Sequence, residues 1–230
     1  MGELDRPEFQ IDARETLGKY ECVLKGHFVG TSGDHLAGYC NLDTLLPHQK
    51  EVDMLVGQLV DPFKHDEVET VASTPYAAVP FSHTGARRLA ILTEQDVLGI
   101  WADKSEVNGL RTFNFDRRGF KEAISGRRVL VLEDMINRMA SIKEMVGLVR
   151  AQGGNVVGVG SIAANKGVTA ETIGVPKFNS LCEVYYETWT PEECSNSGLC
   201  SMGEPIIINI GHGDKFQRDN PDYAGGYINV

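Results

Sequence analysis

The sequence predicts an α/β protein with a doubly wound, mainly parallel sheet and a small N-terminal hood. Three observations carry this. The run RVLVLED (128–134) is apolar almost without interruption, as in a strand covered on both faces, and such strands belong to parallel sheets. Strand and helix patterns alternate on either side of it at the spacing of β–α–β crossovers. Residues 1–46 differ: they are mixed and become Gly-rich in GHFVGTSGDHLAGYCNLD, a pattern of short strands and turns.

Each element has its own reason. Val52, Leu55, Val56, Leu59 and Val60 fall on one helical face, with Pro47 suited to the start and Pro62 to the stop. VETVAST (68–74) reads as a short buried strand ending before Pro75. A helix follows through Gly85–Ala90, and VLGIWA (97–102) is the next strand. Residues 103–120, with Lys104, Arg111, Arg117 and Arg118, are polar and irregular. They predict an exposed, mobile loop followed by a short strand or hairpin arm, and long loops of this kind often carry function. After strand 128–134, Ile142, Met145, Val146 and Val149 form one helical stripe that Gly153–Gly154 ends. NVVGVGSIA (155–163) is the next strand, and FNSLCEV (178–184) and PIIINI (205–210) are late ones. The expected division is a hood (1–46), an α/β core (47–210) and a surface tail (211–230), within one structural domain.

Composition narrows the function classes. The 230 residues are 42% hydrophobic and 23% charged, enough for a sizeable core. A net charge of −10 argues against broad nucleic-acid binding but leaves room for a local phosphate site. No apolar run approaches the roughly 18–20 residues that span a bilayer, and the polar, acidic start MGELDRPEFQ is unlike a signal peptide. A cytoplasmic protein without membrane or nucleic-acid partners is expected. Its five cysteines, Cys22, Cys40, Cys182, Cys194 and Cys200, then read as reduced thiols. Cys194 and Cys200 lie six apart with Cys182 upstream, wider than the usual zinc pairs, so buried or loop thiols are the favoured reading over a metal site. His27, His35, His48, His65, His83 and His212 show no close metal spacing.

Ligands of open α/β sheets bind outside the carboxyl ends of the strands. There the sequence places Ser73–Pro80, Ala102–Lys104 and Glu133–Ser141. Adjacent Glu133 and Asp134 can accept hydrogen bonds from sugar hydroxyls or hold Mg²⁺, and the helix start beyond them favours an anion. The plainer alternative is that Asp134 or Asn137 caps that helix.

A resemblance extends this reading. RVLVLEDMINRMASIKEMVGLVRAQGGNVVGVGSIA resembles the phosphoribosyl-pyrophosphate (PRPP) unit of type I phosphoribosyltransferases, where a strand ends in two acids and a short loop typically ends Thr-Thr-Gly-Gly-Ser. The orotate phosphoribosyltransferases are similar over about residues 15–210. LKGHFVGTSGDHLAGYCNLDTLLPH (24–48) resembles their base-binding hood, and STPYAAVPFSHTGAR (73–87) their pyrophosphate loop. IGVPKFNSLCEV and ECSNSGLCSMGEP resemble their C-terminal Leu-Gly-Val-Pro and Cys-Pro-Leu-Cys-type segments.

The resemblance implies Mg²⁺-dependent transfer of 5-phosphoribose from PRPP to a pyrimidine-type base, in pyrimidine nucleotide metabolism, by a homodimer. Glu133 and Asp134 would hold the ribose hydroxyls and favour oxocarbenium character at the sugar. Asn137, Arg138, Met139, Ala140 and Ser141 would bind the 5′-phosphate, and Tyr76 and Ala77 would lie in the pyrophosphate loop. Lys104, Arg117 or Arg118 would close over the site, and Lys25, Gly26 and Phe28 would hold the base. Mg²⁺ would arrive on PRPP, with Asp134 as the candidate protein ligand.

Three phosphate-handling segments depart from the pattern. Asn137–Ser141 lacks both glycines and both threonines, Tyr76–Ala77–Ala78 replaces usual glycines, and Ala102–Ser105 lacks a clear Arg-Lys-x-x-Lys run. Arg138 could compensate with a two-toothed phosphate contact or be a solvated charge. The departures fit an altered substrate, or a catalytically inactive member that binds a nucleotide or sugar phosphate.

Overall fold

The computed structural model of the chain describes residues 11–30, 32–107 and 110–230. The polar start at 1–10, position 31 of the hood stretch and positions 108 and 109 of the expected mobile loop lie outside the described residues. In chain order the helices are α1 (Ala13–Lys19), α2 (Gln49–Val60), α3 (Val79–Thr93), α4 (Ala140–Ala151), α5 (Ala170–Ile173), α6 (Pro191–Ser197) and α7 (Gly213–Asp219). The strands are β1 (Val23–Val29), β2 (His35–Cys40), β3 (Thr70–Ser73), β4 (Leu98–Trp101), β5 (Asp103–Val107), β6 (Leu110–Asn114), β7 (Arg128–Ile136), β8 (Asn155–Ala164), β9 (Phe178–Glu183), β10 (Thr188–Trp189), β11 (Ile206–Ile207) and β12 (Tyr227–Ile228). Contacts divide them into two units, residues 11–20 with Leu42–Val184, and Glu21–Asn41 with Tyr185–Val230.

The first unit holds a sheet in the order β4-β3-β7-β8-β9. Every pairing in it is parallel. Val129, Leu130, Val131 and Leu132 are all fully buried, which is why this stretch reads as an unbroken apolar run. Alternate residues of a strand face opposite sides. Val129 and Val131 pack in one cluster with Ile142, Met145, Val146 and Val149 of α4. On the other face, a Cβ added to Gly160 of β8 would sit 2.9 Å from Leu132 and 3.1 Å from Leu59 of α2, so glycine lets that helix close on the sheet. Full burial contributes roughly 1.5–3 kcal/mol per such side chain, so β7 anchors whatever its far end carries. From β3 the chain moves out to edge strand β4 and then returns across β3 to β7. That reversal makes the carboxyl ends of β3 and β7 the topological switch point.

β5 and β6 pair antiparallel, Asp103 opposite Asn114, so the arm begins at once after β4 rather than following a loop. Glu144 of α4 pins it, accepting from Thr112 Oγ1 at 2.7 Å and from the Phe113 N–H at 2.8 Å. Arg88 of α3 is buried, and donates to both carboxylate oxygens of Asp61 at 2.8 Å.

The second unit gathers segments far apart in sequence into a sheet ordered β10-β2-β1-β11-β12. β1 and β2 form an antiparallel hairpin, and β11 joins β1 in parallel through His27↔Ile206. Phe28, Leu36 and Ile207 centre its apolar cluster. Here the structure departs from the expected division. Only Ile206–Ile207 of PIIINI form a strand, and that strand belongs to this sheet rather than to the α/β core. The expected surface tail supplies α7 and β12. No helix among the described residues is long and apolar enough to cross a membrane.

Candidate active site at the switch point of the parallel sheet

Glu133 and Asp134 lie near the carboxyl end of β7, but the strand outruns them. Met135 and Ile136 still pair with Ala163 and Ala164 of β8. Glu133 is buried and accepts hydrogen bonds from Thr74 Oγ1 at 2.5 Å and from the Asp134 N–H at 3.1 Å. Burial above all, then the adjacent Asp134 carboxylate and a hydrogen bond to it, push the Glu133 carboxyl well above its ordinary value. The Thr74 and backbone hydrogen bonds oppose this more weakly. Glu133 therefore holds its proton more tightly than an ordinary carboxyl does. Half-buried Asp134 is its more accessible member.

Neither Asp134 nor Asn137 caps α4. The cap position is Met139, at φ 58° and ψ −4°, and no side chain caps the helix there. Asn137 Oδ1 instead accepts from Asn165 Nδ2 at 2.9 Å. The first N–H groups of α4 are thus unclaimed by a side-chain cap, the condition under which a helix start receives an anion. Met139 packs against the core cluster, while Arg138, Ala140 and Ser141 are exposed. The loop after β3 repeats the device: Tyr76 has φ 70° and precedes α3 through a short 3₁₀ turn, Tyr76–Ala78. Both bulky residues hold the left-handed backbone that glycine ordinarily takes, at the two loops where the resembled family carries glycine.

The remaining candidates divide. Lys104 of β5 sets its Nζ 3.9 Å above the Tyr76 ring, so these two come together. Arg117 grips both oxygens of Asp103 at 2.6 and 2.8 Å and lies over Trp101 at 5.1 Å. Its guanidinium is engaged at the foot of the hairpin. Trp101 also stacks with His83 and Phe120. Lys25, Gly26 and Phe28 all lie on β1 of the second unit. Lys25 is exposed. Gly26, at φ 147°, would put an added Cβ 2.5 Å from Ile207 Cδ1. Phe28 is fully buried in the cluster with Leu36 and Ile207, so its ring is a packing group.

Sequence spacing missed one constellation. His27, His35, Cys194 and Cys200, all in the second unit, bring one ligand atom each to within 4.8 Å of one another. The histidines meet because the β1–β2 hairpin folds one strand over the other. The cysteines meet them because β11 pairs beside β1, and no local spacing encodes that pairing. Burial lowers the pKa of both histidines, His35 to about 4, so both imidazoles are neutral. Cys182 stands in the first unit, its Sγ 3.5 Å from the Ile162 carbonyl, and its thiol is pushed up to about 11, chiefly by burial.

A parallel sheet with two carboxyls and an uncapped helix start at its switch point is the arrangement of a ligand-binding α/β protein. Comparison with known proteins gives the family. The chain is 30% identical over 193 residues to the orotate phosphoribosyltransferase of Caldanaerobacter subterraneus subsp. tengcongensis, covering 84% of this chain and 93% of that protein. It is 32% identical over 192 residues to that of Thermotoga maritima, covering 84% and 94%. The chain belongs to the orotate phosphoribosyltransferase family of type I phosphoribosyltransferases, which are glycosyl-transferring enzymes. Solved structures share the fold. Orotate phosphoribosyltransferase of Aeropyrum pernix gives a TM-score of 0.56 at 20% identity, covering 74% of this chain and 93% of that one. Adenine phosphoribosyltransferase of Rhodothermus marinus gives 0.53 at 16%, covering 74% and 99%. No family model matches the chain.

Proposed function

We propose that the protein transfers the 5-phosphoribosyl group of PRPP to orotate or a closely similar pyrimidine. The acid pair at the switch point carries this reading. In the reaction the bond between C1 and the pyrophosphate oxygen breaks, its electrons leaving with pyrophosphate. A ring nitrogen of the base gives its lone pair to C1 and loses its proton to the departing pyrophosphate or to solvent. Asp134 accepts a hydrogen bond from a ribose hydroxyl, and its charge favours the positive character that develops at the sugar. Buried Glu133 accepts from the Asp134 N–H and so braces that residue. The start of α4, with the Ser141 hydroxyl, receives the 5′-phosphate. Lys104 meets pyrophosphate beside the Tyr76 loop. Asp134 offers the hard oxygen donors that suit Mg²⁺ and would hold it; bound there, the ion would neutralise charge on the leaving group. Assembly as a homodimer belongs to the same proposal. Tyr185, 67% exposed, is a suitable contact residue, and a monomer mass by light scattering would remove that part.

The test is pyrophosphate release by the full chain with PRPP, Mg²⁺ and orotate. Asp134→Asn should lower the rate about 10²–10³-fold, the usual cost of losing one electrostatic contact to a transition state, with an unchanged melting temperature. Folded protein that releases no pyrophosphate with any pyrimidine or purine would sink the proposal. If calorimetry still detected PRPP in that case, the chain would be a member that binds without transfer.

A further inference from the structure

We propose that His27, His35, Cys194 and Cys200 form a closed tetrahedral site for a structural zinc-type divalent cation within the second unit. His27 Nε2 lies 2.7 Å from His35 Nδ1. Cys194 Sγ is 3.7 Å from His27 Nε2, and Cys200 Sγ is 3.8 Å from that atom and 3.4 Å from His35 Nδ1. A tetrahedron with metal–nitrogen bonds of about 2.0 Å and metal–sulfur bonds of about 2.3 Å has nitrogen–sulfur edges of roughly 3.5 Å. The three nitrogen–sulfur distances match that figure. The nitrogen–nitrogen separation is shorter than its tetrahedral edge and would open as an ion enters between the rings.

The surroundings orient His27 and Cys194, while His35 Nε2 is buried without a hydrogen-bond partner among the described residues. His27 Nδ1 lies 2.9 Å from the Glu204 carbonyl. Donation of that N–H fixes the tautomer and leaves the Nε2 lone pair facing the cluster, the second-shell arrangement of ligating histidines. The Tyr223 hydroxyl donates to the same carbonyl at 2.8 Å, locking it. The Cys200 N–H donates to Cys194 Sγ at 3.2 Å, a bond that strengthens when the sulfur is a thiolate. Gly198 makes the return turn: a Cβ there would lie 2.9 Å from Cys194 Cα and 3.1 Å from its Sγ. β1 is bulged between Lys25 and Phe28, beside His27, and His27, Phe28 and Val29 are all buried. Phe216 stacks edge-on against His35, and Tyr223 against His27.

Four protein ligands complete the coordination shell, which marks a structural centre; a catalytic one keeps a position open. Two thiolates and two neutral imidazoles around a divalent cation give a neutral cluster, acceptable among buried residues. Uptake releases the two thiol protons. A cleft of about 510 Å³ lined by His35, Cys200, Phe216 and Tyr223 gives the ion a way in. The site also has a reason to exist. Its unit is assembled from two short segments around a small apolar cluster, and small cores commonly need a metal or disulfide.

The test uses the full reduced chain. After metal removal, Co²⁺ should be taken up at about one ion per chain, with the visible bands of a tetrahedral centre and thiolate-to-cobalt charge transfer in the near ultraviolet. Zn²⁺ should displace it and raise the melting temperature. Cys194→Ser and Cys200→Ser should each weaken Co²⁺ binding more than about tenfold, whereas Cys182→Ser should change nothing. The wild-type spectrum stands independently of whether the variants fold. Folded, reduced wild type that binds neither ion, or an octahedral cobalt spectrum without thiolate charge transfer, would overturn the proposal. So would a Cys194–Cys200 disulfide that persists in reductant. All these readouts are independent of PRPP chemistry.

Discussion

The loops that follow β3 and β7 flank the same switch point, and each turns on one residue with positive φ, Tyr76 at 70° and Met139 at 58°. The two side chains meet opposite fates. Met139 is partly buried against the core cluster. Tyr76 is 70% exposed, with Lys104 over its ring. A left-handed conformation costs a residue with a Cβ about 1 kcal/mol. Burial of a methionine contributes up to roughly 1.5–3 kcal/mol, so packing outweighs strain at 139. An exposed cation–π contact contributes about 0.5–1 kcal/mol, which barely matches the strain at 76. Losing glycine has therefore not meant losing the turn in either loop. In the β7 loop the substitution is absorbed into the core. In the β3 loop the added bulk stands at the surface a pyrophosphate would approach.

The largest expected effect falls on the β7 loop. Met139→Gly relieves about 1 kcal/mol of strain but removes a packed side chain and frees the unfolded chain, and should lower unfolding free energy by about 1–3 kcal/mol. Urea unfolding measures this directly. A variant as stable as the parent would mean that Met139 is no better anchored than Tyr76, and the contrast would collapse.

Next in size is the contact joining the two loops, from Thr74 after β3 to Glu133 on β7. The folded-state pKa of Glu133 is raised above its ordinary 4.5. Above that value the unfolded chain has released this proton while the folded chain retains it, so the folded state binds more protons. The resulting stability is fully present below the unfolded value and is lost as pH climbs through the folded value. Glu133→Gln keeps an acceptor for Thr74 and replaces the proton with an amide that cannot titrate. Parent and variant should be similar at acid pH, and the variant should become the more stable as pH climbs through the folded value. Parallel stability curves would show that Glu133 is already ionised in the fold.

How much of this was legible depended on whether the determinant was local. The β7 strand and the α4 face were readable because both bury residues at the period of their own backbone. The extension of β7 to Ile136 was not, because Met135 and Ile136 earn strand geometry from Ala163 and Ala164, a register set by β8. The acid pair was found from its position after an apolar run, yet the raised pKa of Glu133 was not, since that depends above all on burial, which the whole fold sets. Asn137 looked like a cap by residue type, but Asn165 claims it. The second unit was the least legible. Its sheet joins His27 to Ile206, and its four His and Cys side chains converge only after that pairing.

The smallest expected effect, and the sharpest test of the contrast, lies at Tyr76. Tyr76→Gly relieves about 1 kcal/mol of strain and gives up an exposed cation–π contact of about 0.5–1 kcal/mol. Glycine's extra freedom in the unfolded chain costs a further 0.5–1 kcal/mol or so. These contributions nearly cancel, so unfolding free energy should change by less than about 0.5–1 kcal/mol, well short of the loss at Met139. Ligand binding should respond instead. Removing the ring frees Lys104 and lets the loop backbone approach a phosphate closely, so the Kd for PRPP should fall while Met139→Gly leaves it unchanged or raises it. Were Tyr76→Gly to destabilise the protein as much as Met139→Gly does, the ring would be a structural support rather than an obstruction in the ligand's path, and the two loops would have solved the loss of glycine in the same way.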